Sequence, residues 1–415
     1  MSEPVPTPQV AEADRPGSGG SAVAVAIAVM NIATYGFTII AARGLGPQQY
    51  GAFAAVMNLL LVVSVLSLAL QATAARRISS TPDDVAIIET GVLRVAWRAA
   101  LSLGLLLIVA APLVNHVLRL ESLATAVLVG LIAVPSTLMG GQAGVLQGER
   151  RWRSLAILYV AAGVPRLVIG AALILWRPEE FTATLGVLLG ALVPVVVGAI
   201  ALRDRVHVSH RGSDAEAIDH GARALVRESV RNSHALLGYF AVCNVDVIMA
   251  RTVLDNHDSG LYAAGLILAK AVLFLPQFVV VLAFPEFADD RARRRALRLS
   301  LGLVGVLGVF GIAASVLLSD IALVFVGGAE YRGVQDHLWQ FALLGTLLSM
   351  IQLLVYALLA RAGTGSVRVL WVLWVALGAV IAGSFATDSV TSLLTVVTVI
   401  DVVLLAVLLR PALRR

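Results

Sequence analysis

The sequence predicts an all-α, polytopic membrane protein with about twelve transmembrane helices in two parallel six-helix lobes around a central cavity. Three observations predict it. Twelve apolar stretches recur along the 415 residues, each close to the ~20 helical residues needed to cross a hydrocarbon core of about 30 Å. Arginines crowd into every second connection between them. Hydrophobic residues make up 59% of the chain and charged residues 14%, too few charges to cover a soluble protein of this size. Mean hydropathy is +0.90.

The stretches are, in order, Ser21–Ala42, Gly51–Ala75, Val95–Asn115, Leu123–Leu146, Ser154–Trp176 and Ala183–Leu202 in the first half. Val230–Ala250, Leu261–Phe284, Leu299–Leu318, Leu338–Ala360, Val369–Ala386 and Val390–Leu409 follow in the second. Each is helical for one reason: in hydrocarbon the backbone must satisfy its own hydrogen bonds within the segment. Residues 1–20, rich in Pro, Gly and Ser, read as a disordered cytoplasmic tail and lack the pattern of a cleavable signal. Residues 21–202 form an N-terminal lobe, 203–229 a polar cytoplasmic linker and 230–415 a C-terminal lobe. The later half of the linker, Asp214–Glu228, has the composition of a surface helix.

The charge pattern fixes the expected orientation. Even-numbered connections and the two tails hold 24 arginines, among them Arg76, Arg150, Arg203 and Arg298. Odd-numbered connections hold 5: Arg43, Arg119, Arg177, Arg251 and Arg332. Missing or inventing one helix would break this alternation. By the positive-inside rule both termini face the cytoplasm, in a multi-pass protein of the cell membrane. The net charge of +5 therefore reflects topology, and nucleic acid is excluded as a partner. A single cysteine, Cys243, and seven scattered histidines offer no disulfide framework and no metal-ligand spacing. Neither metal nor cofactor is expected.

The halves repeat. Ile39 to Ala55 reads IIAARGLGPQQYGAFAA and Val247 to Ala264 reads VIMARTVLDNHDSGLYAA. Ala42-Arg43 and Ala250-Arg251 close the first helix of each half. Gly51 and Gly260 open the next, followed by Phe53 or Tyr262 and then by Ala-Ala. The arginines suit the headgroup level, and the glycines allow a turn or a close helix contact. With an even number of helices per half, the repeats run parallel, as in two-lobed alternating-access transporters.

Arg43-Gly-Leu-Gly-Pro-Gln-Gln-Tyr-Gly-Ala-Phe-Ala resembles the N-terminal signature of bacterial polysaccharide-repeat flippases, members of the multidrug/oligosaccharidyl-lipid/polysaccharide exporter superfamily. Leu70-Gln71 with Ala75-Arg76 is similar to the end of that family's second helix. Gly260-Leu-Tyr-Ala-Ala, Leu275-Pro276 and Phe284-Pro285 are similar to its eighth-helix region. The resemblance implies translocation of an undecaprenyl-pyrophosphate-linked oligosaccharide across the cytoplasmic membrane. It also implies a lipid bilayer setting, a polyprenyl-pyrophosphate-linked glycan as partner, and a working association with a polysaccharide polymerase and glycosyltransferases.

Charges at bilayer depth are rare and mark function. Four fall near mid-segment: Arg166, Asp246, Lys270 and Asp401. A pyrophosphate head crosses hydrocarbon only along a wet, cationic path. Arg166 and Lys270 are therefore candidate substrate-binding residues, with Arg43 and Arg251 at the outer mouth. Asp246 and Asp401 are candidate ion-coupling sites. Each has a structural alternative. Lys270 can pair with Asp246, Arg166 can answer the carbonyl freed by Pro165, and Arg43 and Arg251 can be topology anchors. Asn31, Asn58, Gln71, Gln142, Asn244, Gln277 and Gln352 also fall within segments, as sugar contacts or interhelical hydrogen bonds. Pro135, Pro165, Pro194 and Pro276 are candidate bend points. Two other function classes remain open: a multidrug or cation antiporter, and a polyprenyl-dependent membrane enzyme. No catalytic constellation supports the enzyme.

Overall fold

The computed structural model describes residues 18–80, 85–203, 234, 236–273, 290–359 and 365–413. Among them there is no strand. The helices are α1 (Ser18–Val63), α2 (Val65–Ser80), α3 (Val85–Val109), α4 (Ala111–Leu118), α5 (Leu123–Gly148), α6 (Trp152–Trp176) and α7 (Glu180–Ala201). They continue with α8 (Leu236–Val253) and α9 (Asn256–Leu273), α10 (Asp290–Leu317) and α11 (Ser319–Val326). A 3-10 turn over Ala329–His337 leads to α12 (Leu338–Leu359), α13 (Gly365–Ser384) and α14 (Val390–Leu413). The tail, the Asp214–Glu228 segment, Leu275-Pro276, Gln277 and Phe284-Pro285 lie outside the described residues.

Nine described stretches are long and apolar enough to cross a membrane. The first, Gly20–Ser80, is 61 residues long and doubles back on itself. Asn256–Leu273 runs to the edge of the described residues, and Arg368–Ser384 is a shorter apolar helix. Together these overlap, within the described residues, each of the twelve expected segments.

The first turn is sharper than the sequence suggests. The first helix runs through Ala42-Arg43 and reverses at Gly46 (φ 69°, ψ 170°), followed by Pro47. Positive φ there favours glycine, and a following proline disfavours α geometry at Gly46. The expected helix end at Arg43 is thus displaced to Gly46. Ser64 separates α1 from α2 with a local break only, because Ser64 N–H still donates to Leu60 O at 2.8 Å. Pro135, Pro165 and Pro194 sit inside α5, α6 and α7, each of which runs on past its proline as one helix.

Close approach of α2 and α5 rests on a glycine stripe at four-residue spacing: Gly140, Gly144 and Gly148. A Cβ at Gly144 would lie 2.7 Å from both Gln71 O and Ala74 Cβ. Gly144→Leu is therefore expected to cost about 3 kcal/mol or more, read as a lower unfolding midpoint in detergent. An unchanged midpoint would show that α2 and α5 pack elsewhere.

In the first half, α1 packs on α6, α6 on α7, and α5 on α2, α3 and α7; in the second, α12 packs on α9, α10 and α14. The hydrophobic cores divide by depth. At the arginine-rich end each lobe has its own core. Leu70, Ile78, Leu146, Leu155 and Leu202 form one, and Tyr239, Leu297, Leu354, Leu373 and Leu404 the other. At the opposite end, one core is common to both lobes. It joins Phe37, Phe53 and Ile132 to Tyr262, Tyr331 and Phe341. Tyr50 and Tyr331 meet edge to face at 6.4 Å across it, a geometry that adds to area burial. Among the described residues, the lobes are fused at one end and packed separately at the other.

Candidate functional site

The site is the seam between the lobes, where α1 meets α9. At its tightest point two glycines face each other. A Cβ on Gly51 would lie 2.9 Å from Gly260 N, and one on Gly260 would lie 1.8 Å from Pro47 O. The repeated glycines thus serve a cross-lobe contact rather than a turn.

Moving inward, Tyr35 OH donates to Ile267 O at 2.7 Å. Lys270 Nζ donates to Asn58 Oδ1 at 2.5 Å, and lies 3.5 Å from Asn244 Oδ1. Asn58 and Asn244 are held in turn, each amide donating to the carbonyl one turn back, Ala54 O and Phe240 O, at 2.7 Å. Lys270 is ten residues beyond Gly260 on α9, so it sits about 15 Å down the helix. That is half of a ~30 Å core. A cation bridging the lobes therefore marks the inner limit of the described seam.

Asp246 lies near this cation but makes no ion pair with it within 4 Å. Its Oδ1 accepts from Val247 N–H at 2.9 Å and its Oδ2 from Tyr262 OH at 3.1 Å. The Lys270–Asp246 ion pair, the structural alternative for Lys270, is not formed, and each residue has neutral hydrogen-bond partners instead. Asp401 on α14 is 1% exposed, and neither carboxyl oxygen has a hydrogen-bond partner among the described residues.

Arg166 is not brought to Lys270. Its Nη2 donates to Thr34 Oγ1 at 3.2 Å and reaches Ala162 O at 3.5 Å, while its buried Nε has no partner. Gly190 of α7 packs on its backbone, where a Cβ would lie 2.6 Å from Arg166 Cα. Ala162 O is the carbonyl one turn back from Arg166, whereas Pro165 frees the carbonyl of Ala161, so this contact does not answer the alternative based on Pro165. Thr34 and Tyr35 are neighbours on α1. Arg166 therefore meets one face of the same turn whose other face meets α9.

Arg43 and Arg251 both reach across the seam to backbone. Arg43 Nη2 donates to Val324 O at 2.5 Å. Arg251, 2% exposed, donates from Nε to Leu118 O and from Nη2 to Arg119 O, both at 2.8 Å, and from Nη1 to Ser259 Oγ at 3.2 Å. Sequence reasoning missed Arg119, Tyr262, Tyr331 and Tyr35 as seam residues. Arg119 carried a signal, as one of few arginines on the side with least positive charge.

The sequence profile of a family described as "Polysaccharide biosynthesis protein" matches residues 17–289, well over half of the chain. The chain belongs to this family. Its fold is that of the transporters of the multidrug/oligosaccharidyl-lipid/polysaccharide superfamily. A multidrug resistance MATE transporter of that superfamily, in an inward-facing conformation, superposes with a TM-score of 0.71 at 12% identity, covering 93% of each chain. The lipid II flippase MurJ, in an inward closed conformation, gives 0.69 at 12% identity, covering 94% of this chain and 87% of that one. An outward-facing MATE transporter gives 0.56 at 13% identity, with 95% and 94% covered. No curated protein matches the sequence. At these identities the neighbours show the fold alone. The family member is thus a polytopic membrane protein with a two-lobed transporter fold.

Proposed function

We propose that this protein is a flippase that carries an undecaprenyl-pyrophosphate-linked oligosaccharide across the cytoplasmic membrane by alternating access. In this reading the arginine-rich end and both termini face the cytoplasm. The observation that carries it is the seam of α1 and α9, where one core joins both lobes at one end and Lys270, about half a bilayer further along α9, bridges the lobes through Asn58. Substrate would enter from the end opposite the fused one. Its pyrophosphate would meet Lys270, a point charge held by two amide oxygens that an anion can displace. Arg166 would serve as a second cationic contact if α1 shifts at Thr34. Membership of the family and the flippase among the structural neighbours support the substrate class.

Asp246 and Asp401 supply a coupling site in this scheme. A buried carboxyl without partners favours uptake of a proton or a small cation. Asp401→Asn keeps the shape and removes the charge. It is expected to leave the protein folded and its transport insensitive to the ion gradient. Transport by Asp401→Asn that still follows the gradient would remove Asp401 from the coupling site.

The test is genetic and chemical. Deletion should cause lipid-linked oligosaccharide to accumulate on the cytoplasmic leaflet, and the wild-type gene should clear it. One observation favours a second reading, a cation antiporter: the unpartnered Asp401. Resistance to organic cations on overexpression, without any change in lipid-linked glycan on deletion, would select it.

A further inference from the structure

The fused end carries the same contact twice. In each half, the helix third in order breaks at a single residue and continues as an eight-residue helix. Ala110 separates α3 from α4, and Leu318 separates α10 from α11. In each half, the first helix carries an Ala-Arg near its end. Arg251 of the second lobe caps the C-terminus of α4 through Leu118 O and Arg119 O. Arg43 of the first lobe reaches Val324 O, in the last turn of α11. The reverse contacts repeat as well. Arg119, in left-handed geometry (φ 45°), turns its guanidinium to Thr252 O and, at 2.8 Å, to Leu254 O, at the end of α8. Tyr331 OH donates to Ala42 O at 2.6 Å, near the end of the first helix.

The physical reason is common to all four. The last carbonyls of a helix have no partner within it and so take any donor, and as the negative end of its dipole they favour the three arginines further. Each lobe therefore ends in acceptors that the other lobe fills. Parting the lobes here would exchange these charge-assisted bonds for bonds to water and uncover the buried Arg251 guanidinium, at the cost of the cross-lobe contacts.

We propose that Arg119 and Arg251, with the repeat-related Arg43 and Tyr331, are the latch of the outer gate. Both sets of caps break each time the passage opens outward. They set access and do not touch substrate. The inference rests on the alternating-access reading above, but its test reads access and not transport.

Cys243, the single cysteine, is replaced by serine, and Ala263→Cys is introduced. Ala263 is buried one turn from Gly260. Intact cells are treated with a membrane-impermeant maleimide. Labelling should be slow with the latch intact. The double variant Arg119→Gln, Arg251→Gln should label about tenfold faster or more, since an arginine's hydrogen bond to a carbonyl oxygen is charge-assisted and stronger than a neutral one. Arg251→Lys, which keeps the charge but loses the fork, should fall between. If the double variant fails to accumulate in the membrane, Arg43→Gln with Tyr331→Phe decides, because Arg43 is exposed and tolerates change. Unchanged labelling in whichever variant accumulates would overturn the proposal. Faster labelling in a protein that moves no lipid-linked glycan would leave the latch standing and remove the flippase reading. Normal glycan transport with unchanged labelling would do the reverse.

Discussion

Lys270→Gln is expected to lower transport by about 30-fold or more while leaving the amount of protein in the membrane near normal. The fold-change follows from the loss of a desolvated charge–charge contact with substrate, worth about 2–5 kcal/mol. Folding should survive for a structural reason. The partners of Lys270 are two neutral amide oxygens, Asn58 Oδ1 and Asn244 Oδ1, and a glutamine amide can donate to the same atoms. Asp246 keeps its own partners, Val247 N–H and Tyr262 OH, in the variant. The measurement is clearance of lipid-linked oligosaccharide in a deletion strain, with immunoblot control of membrane protein. Full clearance by Lys270→Gln would remove Lys270 from the substrate path. Lys270→Arg should retain part of the activity, since the charge persists with altered reach.

Gly260→Ala is expected to have the second large effect, through the seam itself. The added methyl carbon would lie 1.8 Å from Pro47 O, 2.4 Å from Pro47 C and 2.8 Å from Pro47 Cα. These are backbone atoms at the start of a helix, so no side-chain rotation relieves the overlap. The cost should reach the upper part of the ~1–3 kcal/mol seen for overpacking, or exceed it. Gly302→Ala provides the control, since nothing lies within 4 Å of the new atom. There the substitution should be neutral or stabilising by about 1 kcal/mol, as for any exposed helical glycine. Unfolding midpoints in detergent test both. A Gly260→Ala protein as stable as Gly302→Ala would mean that α1 and α9 do not meet as described.

Much of the fold was legible because its grammar is local. About 20 apolar residues specify a helix across a bilayer, and twelve such stretches match the described helices. The turn at Gly46-Pro47 was also legible in principle, as Gly-Pro marks a turn, but the Ala-Arg repeat drew the expected boundary to Arg43. The breaks at Ser64, Ala110 and Leu318 carried no such mark. They interrupt helices whose hydrogen bonds continue across them, as from Val114 N–H to Ala110 O.

The candidate site could be proposed from the sequence as a set of residues and not as a set of contacts. Arg43, Arg251, Lys270, Asp246 and Asp401 stand out because charge is scarce in apolar segments. Their partners do not. Lys270 finds Asn58 from 212 residues away, and Arg251 finds Leu118 O from 133 residues away. A backbone carbonyl has no sequence signature, so an arginine that caps a distant helix looks the same as one that awaits a ligand. The glycine pair Gly51 and Gly260 was visible through the repeat, and its purpose needed the two lobes side by side.

The most direct test of the central claim is translocation by the purified protein in vesicles. Fluorescent lipid-linked oligosaccharide is placed in both leaflets, and a membrane-impermeant quencher is added outside. The flippase reading predicts quenching beyond the outer-leaflet fraction, at a rate proportional to protein and strongly reduced in Lys270→Gln. Quenching that stops at the outer leaflet, as in protein-free vesicles with the coupling gradient imposed, would contradict it.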